Sequence, residues 1–202
     1  RMAGDTIVLG TTQGAYRYNR QSNDFSPLPG MPANDWYTGI LQDEQGGIWA
    51  STYGNGVNYY DHHTRKPANF RHDVNDKSSL CSDRVNSVFE DSKKNIWFAT
   101  EGGLCKFDRQ QKNFHRYTTQ DGFPSDFILS ILEDDAHNLW LSTSKGLVCF
   151  NWQTGQTIVY TRVNGILSDQ FNFNSAFKDQ KGTMYFGSVK GMVSFHISSI
   201  IF

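Results

Sequence analysis

Acidic side chains recur at one fixed distance before an aromatic residue. Four aspartates each precede a tryptophan or tyrosine by six positions: Asp43 and Trp49, Asp91 and Trp97, Asp134 and Trp140, and Asp179 and Tyr185. Such carboxylates could be catalytic groups or calcium ligands, and such rings could stack on sugars. One acid per repeat does not converge on one substrate, however, and an acid at a strand end more simply accepts hydrogen bonds from turn amides. We therefore predict that the acids stabilise turns and that the aromatic rings pack between repeats.

Histidines supply the other candidate for chemistry. His62 and His63 are adjacent, and His72 follows closely. Adjacent residues on an extended segment point to opposite sides, and no cysteine or acid pattern completes a metal site around them. The sequence also contains no glycine-rich phosphate loop, nucleophile elbow or zinc motif. We predict no catalytic residue, no metal site and no cofactor.

The aspartates and aromatic residues belong to a repeat. Five times an apolar strand runs into a small polar turn, a glycine and a second apolar strand. The glycines stand at 14, 56, 103, 146 and 191, so successive repeats are 42, 47, 43 and 45 residues apart. A period in the forties with several short strands per unit is typical of β-propeller blades.

Each repeat predicts four antiparallel strands, ordered from inner to outer. In the third repeat these are Val85 to Glu90, Ile96 to Thr100, Leu104 to Phe107 and Phe114 to Tyr117. The aromatic strands are apolar at consecutive positions, which indicates burial on both faces, whereas the outer strands carry charge. The sequence therefore predicts an all-β fold of four-stranded propeller blades.

The repeat also predicts how the chain is divided. At about 44 residues a blade, 202 residues supply about four and a half blades. We place them approximately at 1–34, 35–82, 83–125, 126–168 and 169–202. We expect the chain to be part of a larger, seven-bladed propeller; a small five-bladed ring is the alternative.

Composition excludes some classes of partner. The net charge is −1, with 19 basic and 20 acidic residues mixed along the chain, so the sequence has no basic patch that would bind nucleic acid. No apolar run reaches the length of a membrane-spanning helix. Of the three cysteines, Cys105 and Cys149 lie one step out of register on equivalent strands, which disfavours a disulfide between them. The redox states of Cys81, Cys105 and Cys149 stay open.

Two sequence patterns resemble a known family. Asp-x-x-x-Asn-Ile-Trp-Phe-Ala-Thr, from Asp91 to Thr100, is followed by Gly-Gly-Leu-x-x-Phe-Asp, from Gly102 to Asp108. Together they resemble the regulator-propeller repeat. The segments at 122–127 and 165–170 resemble the link that this family uses between an outer strand and the next inner one. The resemblance covers nearly the whole chain.

The resemblance implies a function. Such repeats build the periplasmic sensor region of hybrid two-component histidine kinases, in which two seven-bladed propellers precede an immunoglobulin-like domain and a membrane helix. It implies a non-catalytic propeller that senses a ligand, commonly an oligosaccharide. The implied partners are that sugar, the remaining blades and immunoglobulin-like domain of the parent chain, and a second copy of the parent in a homodimer.

Two other classes of function compete with a sensor. A propeller glycosidase or lyase is one, because the stretch from Asp179 to Tyr185 distantly echoes a sialidase-type turn, with a different spacing between aspartate and glycine. A scaffold that binds another protein is the second. The sequence lacks both the Trp-Asp dipeptide with its Gly-His partner and the kelch double-glycine array, so a protein-binding scaffold is the less favoured class.

The blade topology indicates where a ligand would bind. Loops from an outer strand to the next inner strand open on the same face as the turns between second and third strands. Aromatic rings beside polar groups, which sugar recognition needs, fall in these loops. The candidate ligand-binding residues are Trp36, Tyr37, Tyr53, Asn55, Arg84, Glu101, Phe127, Lys145, Gln170 and Lys190. We favour Trp36, Tyr53 and Arg84, since the second repeat has one extra residue between Trp49 and Gly56. The acids Asp83, Asp126 and Asp169 on this face could instead cap turns.

Overall fold

Five antiparallel sheets, each built from consecutive strands, make up the computed structural model, which describes residues 7–197. The first sheet contains β1 (Val8–Gly10), β2 (Ala15–Asn19) and β3 (Asp24–Pro27). The second contains β4 (Tyr37–Gln42), β5 (Ile48–Thr52), β6 (Val57–Asp61) and β7 (Lys66–Phe70). The third contains β8 (Val85–Glu90), β9 (Ile96–Thr100), β10 (Gly103–Asp108) and β11 (Asn113–Tyr117).

The remaining two sheets continue the pattern. The fourth contains β12 (Ile128–Glu133), β13 (Leu139–Thr143), β14 (Gly146–Asn151) and β15 (Gln156–Tyr160). The fifth contains β16 (Phe171–Lys178), β17 (Thr183–Ser188) and β18 (Gly191–His196). Short 3₁₀ turns at Thr119–Asp121 and Arg162–Asn164 precede the fourth and fifth sheets. The all-β fold and the four-strand order predicted for the third repeat are confirmed. Within residues 7–197 the first sheet has no inner strand and the last has no outer strand.

The repeated tryptophans fill the space between neighbouring sheets. Trp49, Trp97 and Trp140 are fully buried. The Trp49 ring lies 4.8 Å from that of Phe107 in the third sheet, and the Trp140 ring lies 4.7 Å from that of Phe195 in the fifth. Aromatic contacts of this kind add to the stabilisation from burial of the rings themselves. The packing role predicted for the tryptophans is confirmed.

The repeated aspartates hold both a turn and an indole. Asp91 Oδ1 accepts hydrogen bonds from the backbone N–H of Lys93 (3.0 Å) and Asn95 (2.8 Å), while Oδ2 accepts from Trp97 Nε1 (2.9 Å). The same indole bond, again at 2.9 Å, joins Asp43 to Trp49 and Asp134 to Trp140. In the fifth sheet Tyr185 Oη donates to Asp179 Oδ2 at 3.2 Å. This confirms the structural role, and the bond to the ring explains the constant six-residue step.

The inner strands carry bulges that join one blade to another. One extra residue interrupts the register of β4, β8 and β12. In the first two of these, Thr38 Oγ1 donates to the carbonyl of Val85 (2.6 Å) and Asn86 Nδ2 donates to that of Ile128 (2.7 Å), each on the next inner strand. In β16 the irregularity spans Phe171 to Ala176, and Asn174 Nδ2 donates to the Thr38 carbonyl at 2.8 Å. The fifth sheet thus contacts the second as well as the fourth.

The structure shows the redox states of the three cysteines, which the sequence left open. Cys81, in the connection between β7 and β8, forms a disulfide with Cys105 of β10, with their Cα atoms 6.1 Å apart. Cys149 is free and buried, so it does not pair with Cys105. Burial, assisted by the charge of Asp134, raises the pKa of Cys149 to about 12. Among the described residues, no helix is long and apolar enough to cross a membrane.

We expect alkylation experiments to show how many cysteines are free and how many are in the disulfide. The chain has three cysteines, and a thiol reacts as its thiolate. Native protein at pH 8 should therefore take up no iodoacetamide, denatured protein without reductant should take up one, and denatured, reduced protein should take up three. Mass spectrometry of the intact chain would give these numbers. Three alkylated cysteines without reductant would contradict the disulfide.

Candidate functional site

Four side chains from two neighbouring blades meet on the predicted face. The Trp36 and Tyr53 rings lie 5.2 Å apart with an angle of 51° between their planes. Tyr53 Oη donates to Glu101 Oε1 at 2.9 Å, and Arg84 forms an ion pair with Glu101 Oε2 at 3.1 Å. The Arg84 guanidinium carbon also lies 5.7 Å from the centre of the Tyr53 ring. We call Trp36, Tyr53, Arg84 and Glu101 the ring–ion patch.

Backbone hydrogen bonds hold the two kinds of loop together. Each outer-to-inner loop gives one carbonyl to an N–H of the turn between second and third strands. The bonds run from Tyr53 N to Trp36 O (2.9 Å), Glu101 N to Arg84 O (3.1 Å), Ser144 N to Phe127 O (3.2 Å) and Val189 N to Gln170 O (3.1 Å). Tyr53 and Arg84 also pair as an isolated antiparallel bridge between blades. Because this pattern recurs in four blades, both sets of loops lie on one face, as the topology predicts.

The patch combines open and sheltered groups. The Trp36 residue is 52% exposed and the Arg84 side chain 60%, whereas the Glu101 side chain is 12% exposed. The hydrogen bond to Glu101 raises the pKa of Tyr53, so the phenol stays protonated at neutral pH. The hydrogen bond to the same carboxylate raises the pKa of Arg84. The arrangement offers two aromatic rings and free guanidinium N–H groups to a ligand.

A second set of polar residues forms hydrogen bonds with the loops that carry the ring–ion patch. Asp35 is buried and accepts hydrogen bonds from the Trp36 backbone N–H (3.1 Å) and from Asn55 Nδ2 (2.9 Å). Arg71 donates to Asp83 Oδ2 at 2.7 Å and to the Gly54 carbonyl at 3.1 Å. Asn55 is therefore an exposed residue beside the ring–ion patch, and it is linked to the Trp36 backbone through Asp35.

The acids on this face cap backbone N–H groups. Asp83 Oδ1 accepts from His72 N at 2.8 Å, Asp126 Oδ1 from Thr119 N at 2.6 Å, and Asp169 Oδ1 from Arg162 N at 2.7 Å. This is the turn-capping alternative raised from the sequence. Their carboxylates are thus engaged within the chain.

The other sequence candidates are placed differently. Tyr37 is only 4% exposed and donates to the Pro32 carbonyl at 2.9 Å, so it is a core residue and is corrected as a surface candidate. Burial raises its pKa. Phe127 is half-buried, with its ring 5.8 Å from that of Phe173. In the described part of the chain, the exposed side chains of Lys145, Gln170 and Lys190 make no hydrogen bond or ion pair with the ring–ion patch.

Sequence reasoning missed two residues on or beside this face. Arg71 directly follows the outer strand of its blade and donates hydrogen bonds to Asp83, and Phe173 is 56% exposed in the long bulge of β16. Phe173 is one of two phenylalanines that alternate with asparagines from 171 to 174, which reads as an ordinary strand. The four-residue irregularity that exposes Phe173 has no counterpart in the other repeats, so periodicity could not reveal it.

The histidines lie outside any cluster of metal ligands. His72 Nδ1 is 2.8 Å from the Leu80 carbonyl, and His63 Nε2 is 3.1 Å from the Gln45 carbonyl. Across residues 7–197, no group of three or more His, Cys, Asp or Glu side chains could hold a metal ion.

Sequence comparison identifies the repeats. Residues 30–54, 79–102 and 122–145 match the two-component regulator propeller. Three stretches of the chain thus resemble two-component regulator propeller repeats. Each matched segment contains an outer-to-inner loop, an inner strand and an aromatic strand. All four residues of the ring–ion patch lie in the first two segments.

Two extracellular domains of known structure resemble this chain. The extracellular domain of a hybrid two component system from B. thetaiotaomicron shares 26% identity and a TM-score of 0.84, over 98% of this chain and 27% of that one. The extracellular domain of a one component system from the same organism shares 18% identity and a TM-score of 0.73, over 96% and 30%.

A more distant structure shows the fold alone. Virginiamycin B lyase from Staphylococcus aureus shares 11% identity and a TM-score of 0.59, over 96% of this chain and 60% of the lyase. Comparison with the curated proteins gives no match. The chain spans less than a third of the two extracellular domains that it resembles, so the activity of the whole protein is a matter for proposal.

Proposed function

We propose that this chain is a non-catalytic, ligand-sensing part of the periplasmic region of a hybrid two-component sensor kinase, and that its ring–ion patch binds an oligosaccharide. The observation that carries the proposal is the exposed Trp36 ring beside Tyr53, with the open guanidinium of Arg84 next to both. The parent protein would add further propeller blades, an immunoglobulin-like domain and a membrane-anchored kinase, and would act as a homodimer.

The chemistry of the patch suits a sugar. A pyranose has an apolar C–H face that packs on an aromatic ring and a rim of hydroxyls that need fixed donors and acceptors. The 51° angle between Trp36 and Tyr53 forms a corner in which such a face can rest. Arg84 N–H groups can donate to ring hydroxyls, since Glu101 occupies only one end of the guanidinium.

Two further observations support a periplasmic binding role. Disulfides such as Cys81–Cys105 form and persist in oxidising compartments, of which the bacterial periplasm is one. Glycosidases need two carboxyl groups that face one substrate. On this face Asp35, Asp83 and Asp126 accept hydrogen bonds from the chain itself, which favours binding over catalysis.

Calorimetry with linkage-defined oligosaccharides would test the proposal. The probe panel is titrated into the whole extracytoplasmic region, which keeps every blade in place. For a sugar that binds, Trp36→Ala and Arg84→Met are each expected to weaken affinity at least tenfold, which corresponds to about 1.4 kcal/mol. Trp36→Ala removes the stacking surface, and Arg84→Met keeps most of the stem while removing the donors.

The first sheet offers a matched control. The rings of Tyr18 and Phe25 also lie 5.2 Å apart, and Phe25 is 53% exposed, but on an outer strand. Phe25→Ala should leave affinity unchanged. If the Trp36 and Arg84 variants bind as tightly as the parent protein, the sugar site is elsewhere and the assignment of the patch is wrong.

A further inference from the structure

The connection between β7 and β8 is longer than its counterparts. It runs over residues 71–84, which is 14 residues, whereas the other three outer-to-inner connections have nine or ten. It ends at Asp83 and Arg84, so it delivers one of the four residues of the ring–ion patch. The extra length needs its own contacts if Arg84 is to keep a defined position.

The third and fourth strands of the third sheet, β10 and β11, supply those contacts. The Cys81–Cys105 disulfide bonds the connection to β10. The guanidinium of Arg116, on β11, donates to the carbonyls of Ser79 (2.8 Å) and Asp76 (2.8 Å). The backbone N–H of Phe114 donates to the Ser78 carbonyl at 2.7 Å. Side chain, backbone and covalent contacts therefore converge on residues 76–81.

The far end of the connection touches the patch directly. The carbonyl of Asp83 accepts from both Gly54 N (3.0 Å) and Gly56 N (2.9 Å), in the turn that carries Tyr53. The next carbonyl, that of Arg84, accepts from Glu101 N. Only two residues separate Cys81 from Arg84. A displacement at the disulfide would thus reach the second and third blades through three backbone hydrogen bonds.

We infer that the Cys81–Cys105 disulfide and Arg116 are positioning elements of the ring–ion patch, which hold Arg84 against Tyr53 and Glu101. Neither element touches the patch, so both act through the connection. The inference rests on the proposed function for its biological meaning, but its physical content is a coupling between residues 76–81 and the amides of Gly54, Gly56 and Glu101.

Amide hydrogen exchange without any ligand would test this coupling. The variants are the double substitution Cys81→Ser with Cys105→Ser, which leaves no unpaired thiol at either position, and Arg116→Met. In both, the amides of Gly54, Gly56 and Glu101 are expected to exchange at least tenfold faster. The amides of Trp140 and Leu141, in the fourth sheet, should keep their rates. Arg17→Met, at an exposed arginine on β2, serves as the control for loss of a guanidinium.

The outcomes separate positioning from stability. Faster exchange confined to residues 76–81 would overturn the inference, because the connection would then move without the patch. A uniform increase across all sheets would also overturn it, because the elements would then contribute only to global stability. If the cysteine variant does not fold, Arg116→Met gives the same readout. Failure of the sugar titrations would refute the proposed ligand and leave this exchange result unaffected.

Discussion

Replacing Trp49 by alanine is expected to lower the free energy of unfolding by about 3–5 kcal/mol, the usual cost of truncating a large buried ring. Trp49 is fully buried and packs against aromatic rings of its own blade and of the next one. Its ring centre lies 4.2 Å from that of Tyr59 and 4.8 Å from that of Phe107. The substitution would therefore leave a cavity between the second and third sheets that neither backbone can close.

Trp36 provides the matched control, since the same substitution there removes a half-exposed indole. Trp36→Ala should cost less than about 1 kcal/mol in stability, as surface substitutions usually do. Urea denaturation followed by circular dichroism would compare the two variants under one condition. Equal losses for Trp49→Ala and Trp36→Ala would refute the packing role assigned to the repeated tryptophans.

Asp91→Ala is expected to cost about 2–4 kcal/mol, because several donors would lose a buried acceptor together. The backbone N–H groups of Lys93 and Asn95 and the indole N–H of Trp97 all point at this carboxylate. Trp97 is fully buried, so water cannot readily replace the lost partner. The hairpin between β8 and β9 should loosen along with the ring.

The fifth blade contains a natural comparison for Asp91. Asp179 accepts the equivalent bonds from Lys181 N, Thr183 N and Tyr185 Oη, but Asp179 and Tyr185 are only partly buried, so water can reach the donors. Asp179→Ala should therefore lose clearly less stability than Asp91→Ala. The same denaturation measurement applies to both, and a larger loss at Asp179 would contradict the role given to the buried indole bond.

Much of the fold follows from residue spacing alone. Two local interactions fix that spacing: the reach of Asp91 to the Trp97 indole, and the turn at Gly103, whose φ of 127° suits glycine. The disulfide could not be foreseen, because Cys81 lies in an elongated connection that has no equivalent in the other repeats and therefore no predictable register.

The repeats also explain which part of the candidate site could be predicted from the sequence. Trp36, Tyr53 and Arg84 come together because backbone bonds between the two kinds of loop recur in four blades. Tyr37 was misjudged because neighbouring residues at the start of a strand point to opposite sides, so Trp36 faces solvent while Tyr37 enters the core. Phe173 escaped because its bulge is unique to β16.

The hydrogen bond from Asn174 to the Thr38 carbonyl joins residues 136 positions apart in the sequence. In a linear array each repeat contacts only its neighbours, and folding can spread from any point along the array. A contact that skips two sheets raises the contact order, and it cannot form until the fifth sheet is in place. This bond between the second and fifth sheets therefore forms late in folding, although the two sheets lie three repeats apart in the sequence.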